Sequence, residues 1–121
     1  MIHDPLITIT VTEADGVEVL DVCGELDLTS AESLTSALAA VTARVVIVDL
    51  SRLGFIDSTG MRAIDLAHRR LAASGRKLLI VAPDESIAGW TFRIAGFEDV
   101  HLMDSREVAL LEATRDGLNG V

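Results

Sequence analysis

Alternating apolar and polar positions open the chain. Residues 6–12 alternate and are rich in β-branched types, and residues 17–24 form a second run of the same kind. The intervening segment, 13–16, ends in Asp-Gly, a pair typical of tight turns. This pattern predicts an antiparallel hairpin at the start of the chain.

Two later apolar runs, 44–50 and 77–82, lack alternation and contain many β-branched or branched aliphatic residues, as expected of central strands that are covered on both faces. Between them, residues 58–74 carry an apolar stripe at helical spacing and end at Gly75. The stripe consists of Gly60, Ala63, Ile64, Ala67 and Leu71. A strand, a helix and a strand in this order predict a right-handed parallel crossover.

Two capping boxes predict further helix starts. In each, the side chain of the capping residue accepts a hydrogen bond from a backbone N–H of the first turn, and a glutamate three residues later accepts one from the N–H of the capping residue. The pairs are Thr29 with Glu32 and Asp104 with Glu107. They predict a first helix over about 30–42 and a last helix that ends near Gly117.

Between the last apolar run and the last helix, the spacing of Ile87, Trp90 and Ile94 predicts a third helix over 85–95. This helix ends at Gly96. A short last strand over 98–103 follows. The element order is then β-β-α-β-α-β-α-β-α. It predicts a single α/β domain over 1–121 with a mixed, mostly parallel sheet, an N-terminal antiparallel hairpin and about four flanking helices.

Composition and charge narrow the classes of function. The chain has 121 residues, 19 Asp and Glu against 10 Lys and Arg, and a net charge of −9, which disfavours binding to nucleic acids and anionic membranes. Cys23 is the single cysteine, so no intrachain disulfide forms and a reducing compartment is favoured. With one cysteine, we also expect no metal-ligand cluster, and no cofactor is expected. Since no apolar run approaches about 20 residues, we expect a cytoplasmic protein without a membrane segment.

Two junctions between strands and helices carry candidate chemistry, because such loops combine exposed side chains with the free N–H groups of a helix. In residues 53–60, Asp57 is placed to cap the helix through the N–H of Thr59 or Gly60, which leaves the Ser58 hydroxyl at the first helical position. In residues 24–29, Glu25 and Asp27 lie in a turn. Spacing alone favours ordinary capping and turn roles for all of them.

Helical geometry places Ser58 on the face opposite the apolar stripe. Arg62, Asp65 and Arg69 fall near it and Met61 lies at its flank, so these four residues form a candidate partner interface. Asp65 and Arg69 also fit an ordinary surface ion pair four residues apart, which is the favoured role for these two.

Three sequence blocks, taken together and in this order, resemble the STAS domain of bacterial anti-sigma factor antagonists. They are Gly24-Glu25-Leu26-Asp27, Val48-Asp49-Leu50-Ser51 and Phe55-Ile56-Asp57-Ser58-Thr59-Gly60-Met61. The resemblance covers essentially the whole chain. It implies that Ser58 is the phosphoacceptor, with Asp27, Asp57, Thr59 and Gly60 supporting the site.

The same resemblance implies a partner switch and no enzymatic activity of the chain itself. The unphosphorylated form would bind an anti-sigma factor that is also a serine kinase of the histidine-kinase-like ATPase class, and so release a sigma factor. The phosphorylated form would dissociate from this anti-sigma factor and bind it again only after a serine phosphatase had removed the phosphate.

Other classes fit less well. Three dispersed histidines and the absence of Gly-x-Ser-x-Gly and P-loop motifs argue against a hydrolase or nucleotide enzyme. A response-regulator receiver, with Asp49 as phosphoaspartate and Lys77 as its lysine, lacks the acidic pair expected after the first strand. A STAS scaffold or lipid-transport module without phosphorylation stays open, as does self-association.

Overall fold

The computed structural model describes residues 2–3, 6–97 and 100–119, without the side chains of 2, 3 and 116–119. This part of the chain forms seven strands and four helices. The strands are β1 (Ile2–His3), β2 (Ile7–Ala14), β3 (Val17–Leu26), β4 (Val45–Asp49), β5 (Leu53–Ile56), β6 (Lys77–Val81) and β7 (His101–Met103). The helices are α1 (Ala31–Ala40), α2 (Ser58–Ala73), α3 (Ile87–Ala95) and α4 (Arg106–Asn119).

All seven strands join one sheet in the order β1-β2-β3-β4-β6-β7, and β5 pairs with the far end of β3. The pairs β1 with β2 and β2 with β3 are antiparallel, and all other pairs are parallel. The predicted hairpin, crossover and mostly parallel sheet are therefore confirmed. β1 and β5 were not predicted, and positions 98–99 of the predicted last strand lie outside the described residues.

Apolar residues are buried on both faces of the sheet. On one face, α1, α2 and α3 cover the strands with buried side chains such as Leu34, Ile64 and Phe92. On the other face, α4 packs Ala109 and Ala113 against alternate residues of β3, β4 and β6. Every residue of β4 is buried, which accounts for its unbroken apolar run.

The helix starts differ from the predicted capping boxes. Ser30 precedes α1 without a capping bond from its side chain, and Asp27 accepts the N–H groups of Thr29 and Ser30 at 2.9 and 3.2 Å. The box of Thr29 with Glu32 is thus wrong, because an aspartate two residues upstream takes these donors. At α4, Ser105 and not Asp104 accepts the Val108 N–H, at 3.2 Å.

Candidate functional site

The carboxyl ends of β3 and β5 bring two aspartates side by side. These parallel strands pair Leu26 with Ile56, so the next residues, Asp27 and Asp57, begin neighbouring loops. Adjacent strands lie about 4.8 Å apart. Two stretches that are 30 residues apart in sequence therefore form one surface, at which α1 and α2 both begin.

Asp57 fixes the start of α2. Its Oδ1 accepts the Gly60 N–H at 2.9 Å, and its own N–H donates to the Leu26 carbonyl at 3.2 Å. The predicted cap is confirmed, with Gly60 as the donor. Ser58 is then the first residue of the helix and is exposed, whereas Thr59 is half-buried.

Gly60 allows α2 to approach β3 closely. A Cβ atom at this position would lie 2.6 Å from the Leu26 carbonyl oxygen and 2.9 Å from Leu26 Cγ. Real Cβ atoms essentially never come this close to a backbone oxygen. The absence of a side chain therefore sets the distance between the Ser58 end of α2 and the Asp27 loop.

The Asp27 loop is held by a serine that sequence reasoning missed. The buried Ser30 hydroxyl accepts the Asp27 N–H at 3.0 Å and donates to the Glu25 carbonyl at 2.6 Å. In the sequence, the position of Ser30 three residues after the turn aspartate Asp27 was the only indication of this role. The Thr29 hydroxyl, 2.7 Å from Asp27 Oδ1, together with the N–H groups of Ser30 and Thr29, lowers the pKa of Asp27 despite the opposing effect of desolvation. The site therefore carries a fixed negative charge.

The residues predicted as a partner interface divide into two groups. Arg62 is exposed, and Asp65 and Arg69 form the predicted surface ion pair with 3.1 Å between Oδ2 and Nε. Met61, in contrast, is only 7% exposed and belongs to the core. Its expected place at the flank of the exposed face is wrong, because the helix packs against the sheet from its first turn.

The other candidate phosphoacceptor, Asp49, lies in a polar network beneath the start of α4. Its Oδ2 lies 3.0 Å from Arg106 Nε, and its Oδ1 accepts from the Ser51 hydroxyl at 2.6 Å. Burial by itself raises the pKa of Asp49, but the bonds from Ser51 and Arg106 outweigh it and lower the pKa. The side chain is only 7% exposed.

The lysine of the receiver hypothesis is also misplaced. Lys77 begins β6, and the sheet register pairs Asp49 with Val81, four residues further along that strand. At a rise of about 3.3 Å per residue, Lys77 lies roughly 13 Å along the strand from Val81, the residue that pairs with Asp49. The two residues do not form a receiver site.

Within the described ranges, no three His, Cys, Asp or Glu side chains are arranged to hold a metal ion. None of the helices in the described part of the chain is long and apolar enough to cross a membrane. What the site does offer is an exposed serine at the first position of a helix, directly after Asp57 and next to the loop that begins with Asp27.

Comparison with known proteins identifies the family. The model of the STAS domain matches residues 8–113, so the chain belongs to the STAS domain family. Anti-sigma-F factor antagonist RsfB of Mycobacterium tuberculosis is 34% identical in an alignment over 71 residues that covers 56% of this chain and 58% of RsfB. The chain thus matches little more than half the length of this curated relative.

Two solved structures show the same architecture. An anti-sigma factor antagonist from Mycobacterium paratuberculosis superposes with a TM-score of 0.80 at 26% identity, covering 92% of this chain and 97% of that one. The Bacillus cell fate determinant SpoIIAA in its phosphorylated form gives a TM-score of 0.67 at 20% identity, over 88% and 99% of the two chains. The latter likeness is one of fold alone.

Proposed function

We propose that this protein is an anti-sigma factor antagonist that is switched by phosphorylation of Ser58. The observation that carries the proposal is the exposed Ser58 hydroxyl at the capped start of α2, beside Asp27 and Asp57. The names of the mycobacterial relatives support the class of function. In this account the unphosphorylated chain binds an anti-sigma factor with serine-kinase activity and thereby frees a sigma factor.

The chain is the substrate of the phosphoryl transfer and its partner is the enzyme. The Ser58 Oγ attacks the γ-phosphorus of ATP bound to the kinase, a new O–P bond forms, and the bond to the β-phosphate oxygen breaks to release ADP. The hydroxyl proton leaves to a base or to solvent. A serine phosphatase reverses the modification by hydrolysis, and the exchange takes place in the cytoplasm, where sigma factors act.

A phosphate at Ser58 acts locally. It adds about 1.5 to 2 negative charges at pH 7 at a helix N-terminus, where free N–H groups and the helix dipole tolerate an anion. The fold therefore survives, as an exposed first-turn residue requires no repacking. A partner surface docked on Ser58, in contrast, meets a new charge that must be desolvated or repelled.

The neighbouring residues support this exchange in different ways. Asp57 and Gly60 fix the position of the helix start, and the fixed charge of Asp27 faces the same edge of the sheet. Thr59 is half-buried beside Ser58. Arg62, with the pair of Asp65 and Arg69 further along α2, contributes exposed charges to the partner interface, and Met61 acts through packing beneath it.

The proposal is tested by affinity capture from a native lysate with the wild-type chain, Ser58→Ala and Ser58→Glu as baits. We expect an ATPase-type kinase to be retained by the wild type and by Ser58→Ala and to be lost with Ser58→Glu. Thr114→Glu is the matched control, since it adds the same charge to an exposed position on α4, on the opposite face of the sheet.

Equal retention of the same proteins by all four baits would contradict the switch. Ser58 would then be a helix residue without a regulatory role, and a STAS scaffold or lipid-transport module would become the better description.

A further inference from the structure

Helix α3 is apolar on both of its faces. Ala88, Gly89 and Phe92 point into the core. The opposite stripe, formed by Ile87, Trp90 and Ile94, is 48%, 58% and 69% exposed. A helix that covers one face of a sheet normally presents polar residues to solvent, so this outer stripe needs a separate explanation.

Two residues of this stripe, Ile87 and Trp90, line an open cleft on the side of β5. Phe55, which is 45% exposed, and Ile56 form one wall, and Ile87, Trp90 and Thr91 form the other. The cleft has a volume of about 500 Å³, which is enough to accept a large side chain and its neighbours. Asp84 and Glu85 lie at the cleft as well and make it acidic, although Arg93 approaches Asp84 at 3.7 Å.

The walls of this cleft are held rigidly. The Ser86 hydroxyl caps α3 by accepting the Gly89 N–H at 3.0 Å and donates to the Pro83 carbonyl at 2.6 Å. A Cβ atom on Gly89 would lie 2.0 Å from the Pro83 carbonyl oxygen, so α3 packs directly on the chain that leaves β6. A preformed cleft with aromatic walls loses little conformational freedom when it is filled.

We propose that this cleft is a second part of the partner surface, and that it receives an apolar side chain of the anti-sigma factor kinase that docks on Ser58. The inference rests on the proposed function and deepens it. Phe55 precedes Ser58 by three residues, so their Cα atoms are at most about 11 Å apart. A standard interface of about 800 Å² per partner spans both features.

Charge selects this occupant over a second copy of the chain. The cleft carries Asp84 and Glu85, and the whole chain has a net charge of −9. Two copies joined through this face would bring like charges together, which is unfavourable. The complementary partner has an apolar residue surrounded by lysines or arginines, and Trp90 and Phe55 are of the residue types that are enriched at the centres of interfaces.

The test uses the fact that Trp90 is the single tryptophan of the chain. Labelling with 5-fluorotryptophan gives one ¹⁹F resonance, which reports burial of this side chain. The probes are the purified histidine-kinase-like anti-sigma factors encoded in the same genome, loaded with ADP so that no phosphoryl transfer occurs. We expect the kinase that binds to shift this resonance.

The variant Trp90→Ala should bind that kinase at least tenfold more weakly, and Trp90→Phe should recover most of the affinity. Leu111→Ala is the matched control, because Leu111 is 72% exposed on α4, on the opposite side of the sheet. Circular dichroism of each variant checks that the fold is retained, as expected for exposed positions.

The outcomes separate the inference from the function on which it rests. If Ser58→Glu weakens binding and Trp90→Ala does not, the cleft is not part of the interface and the switch stands. If Trp90→Ala weakens binding and Ser58→Glu does not, the surface stands and the switch fails. If no kinase binds, both fail. A dimer in sedimentation that Trp90→Ala dissociates would overturn the inference in favour of a second copy.

Discussion

Replacing Gly60 by alanine tests how the site is positioned. Alanine is normally the better residue in a helix, by about 1 kcal/mol. Here, however, its Cβ would lie 2.6 Å from the Leu26 carbonyl oxygen, 2.9 Å from Leu26 Cγ and 3.0 Å from Ile56 Cγ1. The same carbonyl accepts the Asp57 N–H, so it does not move away freely. The start of α2 must shift instead.

Overpacking of this kind destabilises a protein by about 1 to 3 kcal/mol. Because the neighbouring atom is a rigid backbone carbonyl, we expect the cost of Gly60→Ala to lie at the upper end of this range. After subtraction of the helix preference, we expect a net loss of about 2 kcal/mol in the free energy of unfolding. Urea unfolding, followed by circular dichroism, should show the midpoint lowered by roughly 1 M.

Gly54→Ala is the control for this variant. The added Cβ would meet its nearest neighbour, the Gly24 carbonyl oxygen, at an ordinary 3.5 Å. Its stability should stay within about 0.5 kcal/mol of the wild type or rise slightly. A Gly60→Ala protein as stable as the wild type, or more stable, would refute the argument that close approach to Leu26 sets the position of α2.

Three further substitutions test other parts of the account. Ser58→Glu should unfold within about 1 kcal/mol of the wild type, since a carboxylate is tolerated at a helix N-terminus; a collapsed melting curve would make Ser58 a structural residue. Asp27→Asn keeps an oxygen for the N–H groups of the loop but removes the charge that these hydrogen bonds stabilise, so a slightly reduced stability at pH 7 and an altered rate of Ser58 phosphorylation are expected; an unchanged rate would leave Asp27 a turn residue. Asp49→Asn should cost about 1 to 3 kcal/mol at pH 7 through loss of the Arg106 pair. Because the pKa of Asp49 is lowered in the folded state, this contribution is fully present above the unfolded pKa of about 3.9 and is lost as the pH falls through the folded pKa. In urea unfolding, the difference between the two proteins should therefore be constant from pH 7 to about pH 5 and narrow as the pH falls below about 3.9; a difference that stays constant in acid would contradict the assignment.

Local signals were sufficient for much of the fold. The Asp-Gly turn defined the hairpin, the unbroken apolar runs defined β4 and β6, and Asp57 marked the start of α2. These features depend on residues close in sequence or on a strand that is buried on both sides. The position of Ser58 on an exposed helix start followed from the same local pattern.

Features that depend on distant contacts were missed. β5 has four residues and includes Gly54, and it exists because it pairs with the end of β3. Ser30 becomes a buried hydrogen-bonding centre only once the Asp27 loop is closed. The spacing in α3 showed an apolar stripe, but no local rule indicated that this stripe faces solvent and that Phe92 fills the core.

The most direct test of the central claim is to map the modification and the binding state in one experiment. The wild-type chain is incubated with the captured kinase and ATP, and the products are separated by size and analysed by mass spectrometry. The account predicts a single phosphoryl group on Ser58, found on the free chain, with unmodified chain remaining in the complex. A phosphoryl group on Thr59 or elsewhere, or phosphorylated Ser58 that stays bound to the kinase, would contradict it.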